Sequence, residues 1–162
     1  MIKSNASKVN FMKSAIALSV AALILTACGK GGDKTAAVPA DGVEVKIGHV
    51  APLTGPIAHL GKDNENGARL ALEEINKAGL TIDGKKVVLT LVPEDDAEDP
   101  KTATQVAQKL VDAKVVGVVG HLNSGTSIPA SKIYSDAGIT QISPSSTNPD
   151  YTKQGFKTTY RL

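Results

Sequence analysis

The chain has 162 residues and one cysteine, with 18 Lys and Arg against 16 Asp and Glu, and 41% of its residues are hydrophobic. That length allows at most one compact domain, and a lone thiol excludes an internal disulfide. A nearly balanced charge with no basic stripe excludes nucleic acid as a partner, and ordinary Gly and Pro levels exclude a fibrous or disordered class.

Residues 1–27 have the layout of an export leader: Lys3, Lys8 and Lys13 come first, then the apolar run 15–25. The run is too short to span a bilayer and no basic stop-transfer cluster follows it. Residues 25–28 read LTAC. This resembles the lipobox of bacterial lipoproteins, which implies that Cys28 becomes the lipidated first residue of the mature protein. Met12 followed by Lys13 can itself begin a shorter leader. Cleavage before Cys28 removes three lysines and no acid, leaving 15 basic against 16 acidic side chains. Residues 28–42 are small, polar and patternless, as expected of a flexible tether between a lipid anchor and a folded domain.

The folded part is expected to run over residues 43–162. Residues 43–51 alternate and then turn apolar, the pattern of a first strand, and 53–61 (LTGPIAHLG) is a loop punctuated by Gly and Pro. A helix is expected over 62–78, with Ala68, Leu72, Ile75 and Ala78 on one face and Gly79 as its C-cap. Asp83 and Gly84 form a tight turn, and 87–92 is a second buried strand.

Residues 93–100 (PEDDAEDP) are an acidic loop. The EF-hand pattern is absent there, so the expected roles are solubility and capping of a helix over 101–112, with Asp99 as N-cap and Pro100 at the first helical position. Ala103, Val106, Ala107, Leu110 and Val111 give that helix its packing face.

A third strand over 115–119, built of β-branched residues in a continuous run, is expected to be buried on both faces. It leads into GHLNSGTS and a helix over 126–137, packing through Ile128, Ile133, Tyr134 and Ala137. A fourth strand over 140–143 is followed by PSSTNP, one helical turn, and a last strand within 157–162. The alternation predicts an α/β fold, a three-layer Rossmann-like parallel sheet with right-handed crossovers and helices on both faces. The loops after the first, third and fourth strands then share the carboxyl edge where ligands bind, making Gly55, Ser124 and Thr147 neighbours.

The chemistry available at that edge is hydroxyls, backbone amides and glycines, which hold a carboxylate without reacting with it. GHLNSG is not a G-x-S-x-G nucleophile elbow, and neither a P-loop lysine nor a G-x-G-x-x-G turn is present. No motif joins His49, His59 and His121 into a metal site. No cofactor, metal or catalytic residue is expected. A serine-dependent hydrolase using Ser124 remains an alternative.

The segments HVAPLTGPIAHLG (49–61), NGARLALEEIN (66–76), EDDAEDP (94–100), VVGHLNSGTSIPAS (118–131) and ITQISPSSTNPDYT (139–152) resemble the periplasmic leucine/isoleucine/valine-binding proteins that deliver substrate to ABC transporters. The resemblance implies the first lobe of a type I periplasmic binding fold, a two-lobed clamshell that holds a small amino acid. It implies that Ser124 and Thr147 hold the ligand's α-carboxylate, that the Ser145 carbonyl meets the α-ammonium, and that Ser146 lines the cleft. Leu60 stands where family members often carry an aromatic against the ligand. Some members join the acidic loop to the third-strand loop by a disulfide, at positions held here by Glu98 and Asn123. The implied partners are a leucine/isoleucine/valine-class amino acid, the transporter's permease subunits, and the inner or outer membrane through the lipid anchor. The implied place is the periplasm. From Cys28 onward there are 135 residues, about one lobe, so a truncated form lacking the second lobe is expected. A sensing receptor domain for amides or aliphatic acids is the alternative on the same fold.

Overall fold

A computed structural model describes residues 42–162. The expected leader, Cys28 and the tether up to residue 41 lie outside the described residues. Six strands and four helices follow in chain order: β1 (Val43–Ala51), α1 (Ala58–Ala78), β2 (Leu80–Ile82), β3 (Lys85–Asp95), α2 (Pro100–Asp112), β4 (Gly117–Gly120), α3 (Ser124–Asp136), β5 (Thr140–Ser143), α4 (Asp150–Lys153) and β6 (Thr159–Arg161). They form one sheet in the order β2-β3-β1-β4-β5-β6. All pairings are parallel except β2 with β3. The carboxyl ends of β1, β4 and β5 are therefore side by side, as the alternation of elements required. None of the described helices is long and apolar enough to cross a membrane.

The core lies on the face covered by α2 and α3. Val50, Val106, Ala107, Leu110, Val115, Val118, Ala130, Tyr134 and Ile139 pack there as one buried cluster. Asp99 caps α2 by accepting from the Thr102 N–H at 2.7 Å, with Pro100 opening the helix. The other face carries α1, which packs mainly on β3 and β1. In register across β4, β5 and β6 on that face are Val119, Ile142 and Tyr160. With no described helix over them, Ile142 and Tyr160 remain exposed.

Several boundaries differ from expectation. The 53–61 segment is not all loop: a turn closed by the Ala58 N–H on the Gly55 carbonyl runs directly into α1, so Leu60 sits on a helix. Of Ala68, Leu72, Ile75 and Ala78, only Leu72 is buried. The Asp83-Gly84 turn has positive φ at both residues (51° and 76°) and joins β2 to β3 as a hairpin, so a strand precedes the turn as well as following it. Beyond that short hairpin the β3 edge is closed by a side chain. Asn76 of α1 donates to the Leu89 carbonyl and accepts from the Leu89 N–H, both at 2.8 Å.

The third expected strand is also not buried on both faces. Val115 and Val118 are buried, but Val116, just ahead of β4, is 59% exposed. The buried side of α3 is largely polar, made by Thr126, Ser127, Ala130, Ser131 and Tyr134, whereas Ala137 is exposed.

Two glycines set how close the elements come. A Cβ on Gly61 would collide with the Pro52 carbonyl, so the first turn of α1 rests on the end of β1. Gly120, at φ 139°, has no room for a Cβ against the Val50 backbone. Gly67, on the same helix as Gly61, has nothing within 4 Å of an added Cβ. Gly61→Ala is therefore expected to cost about 3 kcal/mol through overpacking against backbone. Gly67→Ala should instead stabilise by up to about 1 kcal/mol through helix propensity. Urea unfolding of the two variants checks this, and equal midpoints would contradict the close approach.

Candidate functional site

The loops after β1, β4 and β5 border an open cavity of about 520 Å³. Leu122, Asn123, Ser124, Ser145 and Thr147 form its strand-end wall, and Ile57, Leu60, Asp63 and Asn64 of α1 form the other. Ser124 is the first residue of α3. Its Oγ accepts from the Asn148 N–H at 3.1 Å, which leaves the hydroxyl proton for a ligand acceptor. The first backbone N–H groups of α3 have no helical carbonyl to reach and carry the positive end of the helix dipole. The Ser145 hydroxyl donates to the Leu122 carbonyl at 2.7 Å, joining the two loops. An anionic head group placed here would meet hydroxyls and helix N–H groups.

The expected site residues are thus partly brought together. Ser124, Ser145, Thr147 and Leu60 share the cavity, with Leu60 49% exposed. Ser146 lies elsewhere. At 2% exposure its hydroxyl turns inward, 2.7 Å from both the Ser127 and Ser143 hydroxyls, so it supports the loop instead of lining the cleft. The loop's backbone is also gripped from β6: Arg161 donates to the Ser146 carbonyl at 3.2 Å and the Thr147 carbonyl at 2.6 Å.

Beneath the cavity lies a buried network that sequence reasoning missed. His121, which follows β4, is fully buried, as is Asp96 from the acidic loop. The His121 Nδ1 is 2.8 Å from Asp96 Oδ2, and Nε2 is 3.2 Å from the Tyr134 hydroxyl. Burial holds the His121 pKa below 6.5 against the opposing pull of Asp96, so the ring is neutral. Nδ1–H then donates to Asp96 and Nε2 accepts from Tyr134. Burial, and then the Asp96 charge, push the Tyr134 hydroxyl up, which keeps it a donor. The His121 carbonyl accepts from Ser127 at 3.0 Å and from Ser143 at 2.7 Å. Both ring nitrogens are committed, so His121 is not available as a base for Ser124. Local spacing carries no signal for this network, because Asp96 and His121 are 25 residues apart.

The acidic loop is correspondingly less solvated than expected. Asp95 accepts from the Leu53 N–H at 2.8 Å and the Thr54 hydroxyl at 2.6 Å, fastening the loop after β1. Partial burial works to raise the Asp95 pKa, but bonds from Thr54, Ala97 and Leu53 outweigh it and hold it below 3.8. Asn123 donates to Glu98 Oε1 at 3.2 Å, joining the loop after β4 to the acidic loop. On α1, Glu65 is buried and bonded to Lys62 at 3.1 Å and Arg69 at 2.7 Å. No group of three or more His, Cys, Asp or Glu that could hold a metal occurs among the described residues.

The family described as "Periplasmic binding protein" matches residues 44–161. The chain belongs to the periplasmic binding protein family. It is 45% identical over 118 residues to the Leu/Ile/Val-binding protein homolog 1 of Brucella abortus (strain 2308), covering 73% of this chain and 31% of that protein. It is 41% identical over 157 residues to an amino acid binding protein of Pseudomonas aeruginosa, covering 96% of this chain and 38% of that protein. Among solved structures, the branched-chain amino acid transporter substrate binding protein LivJ from Streptococcus pneumoniae, in complex with isoleucine, matches at TM-score 0.67 and 36% identity, over 74% of this chain and 33% of that one. The chain spans about a third of the length of these relatives. The fold is that of the type I periplasmic binding proteins.

The buried histidines make stability depend on pH. His49 is fully buried and neither of its ring nitrogens has a hydrogen-bond partner. Burial lowers its pKa from 6.5 despite the opposing charge of Glu65. For both His49 and His121 the folded-state pKa lies below the unfolded value, so the unfolded chain takes up the proton first. Their contribution is therefore complete above about pH 6.5 and is lost as pH falls, by up to about 1.4 kcal/mol per pH unit for each histidine. Urea melts between pH 7.5 and 5 should show this decline, and His49→Leu should flatten it. An unchanged slope in the variant would contradict the assignment.

Proposed function

We propose that the protein is the extracytoplasmic substrate-binding component of an ABC importer for branched-chain or similar small amino acids. The observation that carries this is the Ser124 hydroxyl at the start of α3, sharing one cavity with Ser145 and Thr147 while its own acceptor side is occupied by the Asn148 N–H. Ser124 and Thr147 donate to the α-carboxylate, the Ser145 carbonyl accepts from the α-ammonium, and Ile57 and Leu60 give apolar contact. The site binds without chemistry. The relatives reported above, named for binding, support that reading, as does the commitment of both His121 ring nitrogens to Asp96 and Tyr134.

In this proposal a second lobe closes over the cavity and supplies the rest of the ammonium and side-chain contacts. The lobe alone leaves one side of the ligand in water and binds weakly. The proposal extends to residues 1–27 as a lipoprotein signal, Cys28 as the lipidated residue, residues 28–42 as tether and 43–162 as the first lobe. It also includes periplasmic display from the membrane and docking to permease subunits.

In a two-lobed version, calorimetric titration with leucine, isoleucine and valine should give saturable binding. Ser124→Ala and Thr147→Ala should each weaken it about ten-fold or more, since each removes a hydrogen bond to a charged group. Unchanged affinity in both would rule out the strand-end wall as the carboxylate site.

A further inference from the structure

We infer that Arg161 is a positioning residue for the Ser124 hydroxyl and acts on it through one peptide plane, the unit between Thr147 and Asn148. This inference rests on the amino-acid site proposed above and adds to it a residue that does not itself line the cavity. The carbonyl of that unit, which belongs to Thr147, accepts from Arg161 Nη1 at 2.6 Å. The N–H of the same unit, which belongs to Asn148, donates to Ser124 Oγ at 3.1 Å. A trans peptide is flat and turns its C=O and N–H to opposite sides, so rotation of this plane disturbs both bonds at once. Holding the carbonyl therefore holds the N–H that fills the acceptor side of Ser124.

The rest of the loop is anchored from the inside. Ser146 Oγ lies 2.7 Å from the Ser127 and Ser143 hydroxyls, and the Ser146 N–H donates to Ser143 Oγ at 3.0 Å. Those bonds stop one residue short of the Thr147–Asn148 unit. Arg161 reaches it from β6, and also takes the Ser146 carbonyl at 3.2 Å. The base of the arginine is fixed to the same loop: Arg161 stands opposite Ser143 in the β5–β6 register, and the Leu162 N–H donates to the Ser143 carbonyl at 3.2 Å. A cationic donor on the Thr147 carbonyl polarises the peptide and strengthens the Asn148 N–H as a donor to Ser124. With its acceptor side filled, Ser124 presents its proton to the cavity. A carboxylate can only accept, so a hydroxyl oriented in advance spares the ligand the cost of ordering it. Arg161 is exposed, so replacing it empties no part of the core.

The test is a double-mutant cycle read by calorimetry with leucine in the two-lobed protein. Arg161→Met is expected to weaken binding about five-fold, and Arg161→Lys, which keeps a cationic donor, to recover part of that loss. In the Ser124→Ala background, Arg161→Met should change affinity by less than about two-fold, because the group it positions is gone. A loss of equal size with and without the Ser124 hydroxyl is what a general structural role gives; it would overturn the inference and leave the amino-acid site standing. A second readout needs no ligand: the Asn148 amide proton, followed by NMR in the unliganded protein. It should move upfield in Arg161→Met, in the direction it takes in Ser124→Ala, and an unmoved resonance contradicts the inference. Absence of binding by leucine, isoleucine and valine alike would remove the amino-acid site, and the Asn148 shift then decides by itself whether Arg161 controls Ser124.

Discussion

The geometry of the site depends on one buried residue, His121, whose ring and carbonyl together make four hydrogen bonds. The ring reaches Asp96 at the end of β3 and Tyr134 on α3, and the carbonyl accepts from Ser127 on α3 and Ser143 at the end of β5. His121, Asp96, Tyr134, Ser127 and Ser143 are all fully buried. None of these groups can exchange its partner for bulk water, so breaking one bond leaves a buried polar atom unsatisfied, at about 1–3 kcal/mol. Four elements are held to one another at the edge of the sheet by that constraint. Apolar packing between α2 and α3 brings them close, and the polar network fixes their relative position.

A second tier of bonds then fastens the loops that reach the surface. Asp95 holds the loop after β1, Glu98 holds Asn123, the Asn148 N–H holds Ser124, and Arg161 holds the carbonyls of Ser146 and Thr147. What remains unspent on the cavity side is small: the Ser124 proton, the Thr147 hydroxyl and the first N–H groups of α3. Because their supports are in place in the unliganded lobe, the ordering cost falls on folding and not on ligand capture.

The sheet was legible because its strands are the apolar units of the chain and its helices carry caps such as Asp99. That Ser124 and Thr147 border one cavity was legible because each follows a strand, where connectivity alone puts loops at one edge; the roles given to them came from the family resemblance. The inward turn of the Ser146 hydroxyl, expected from the resemblance to line the cleft, was not legible, since a loop has no period to say which neighbour points inward. Asp96 and Glu65 were unreadable for a different reason. A carboxylate in a sequence looks like surface, and only a partner 25 residues away, or a cation one turn along the helix, makes its burial tolerable. The start of α1 was hidden because Gly-Pro signals a loop. Here that turn is the helix entry, and Gly61 is present for contact with Pro52.

The two walls of the cavity are built on different terms. The strand-end wall is tied into the His121 network at several points. The α1 wall is fastened differently: Lys62 and Arg69 bond Glu65 within the helix, and Asn76 reaches the β3 backbone. None of the side chains at 57, 60, 63 and 64 is a partner in the His121 network that positions Ser124 and Thr147. The head group common to amino acids falls to the rigid wall and the variable side chain to the adaptable one. Among the described residues no Lys or Arg lines the cavity, and the Arg161 Nη1 is directed at the backbone carbonyls of Ser146 and Thr147. Hydroxyls and a helix N-terminus balance one carboxylate in a zwitterion well and two poorly, so selection against acidic ligands begins before α1 is reached.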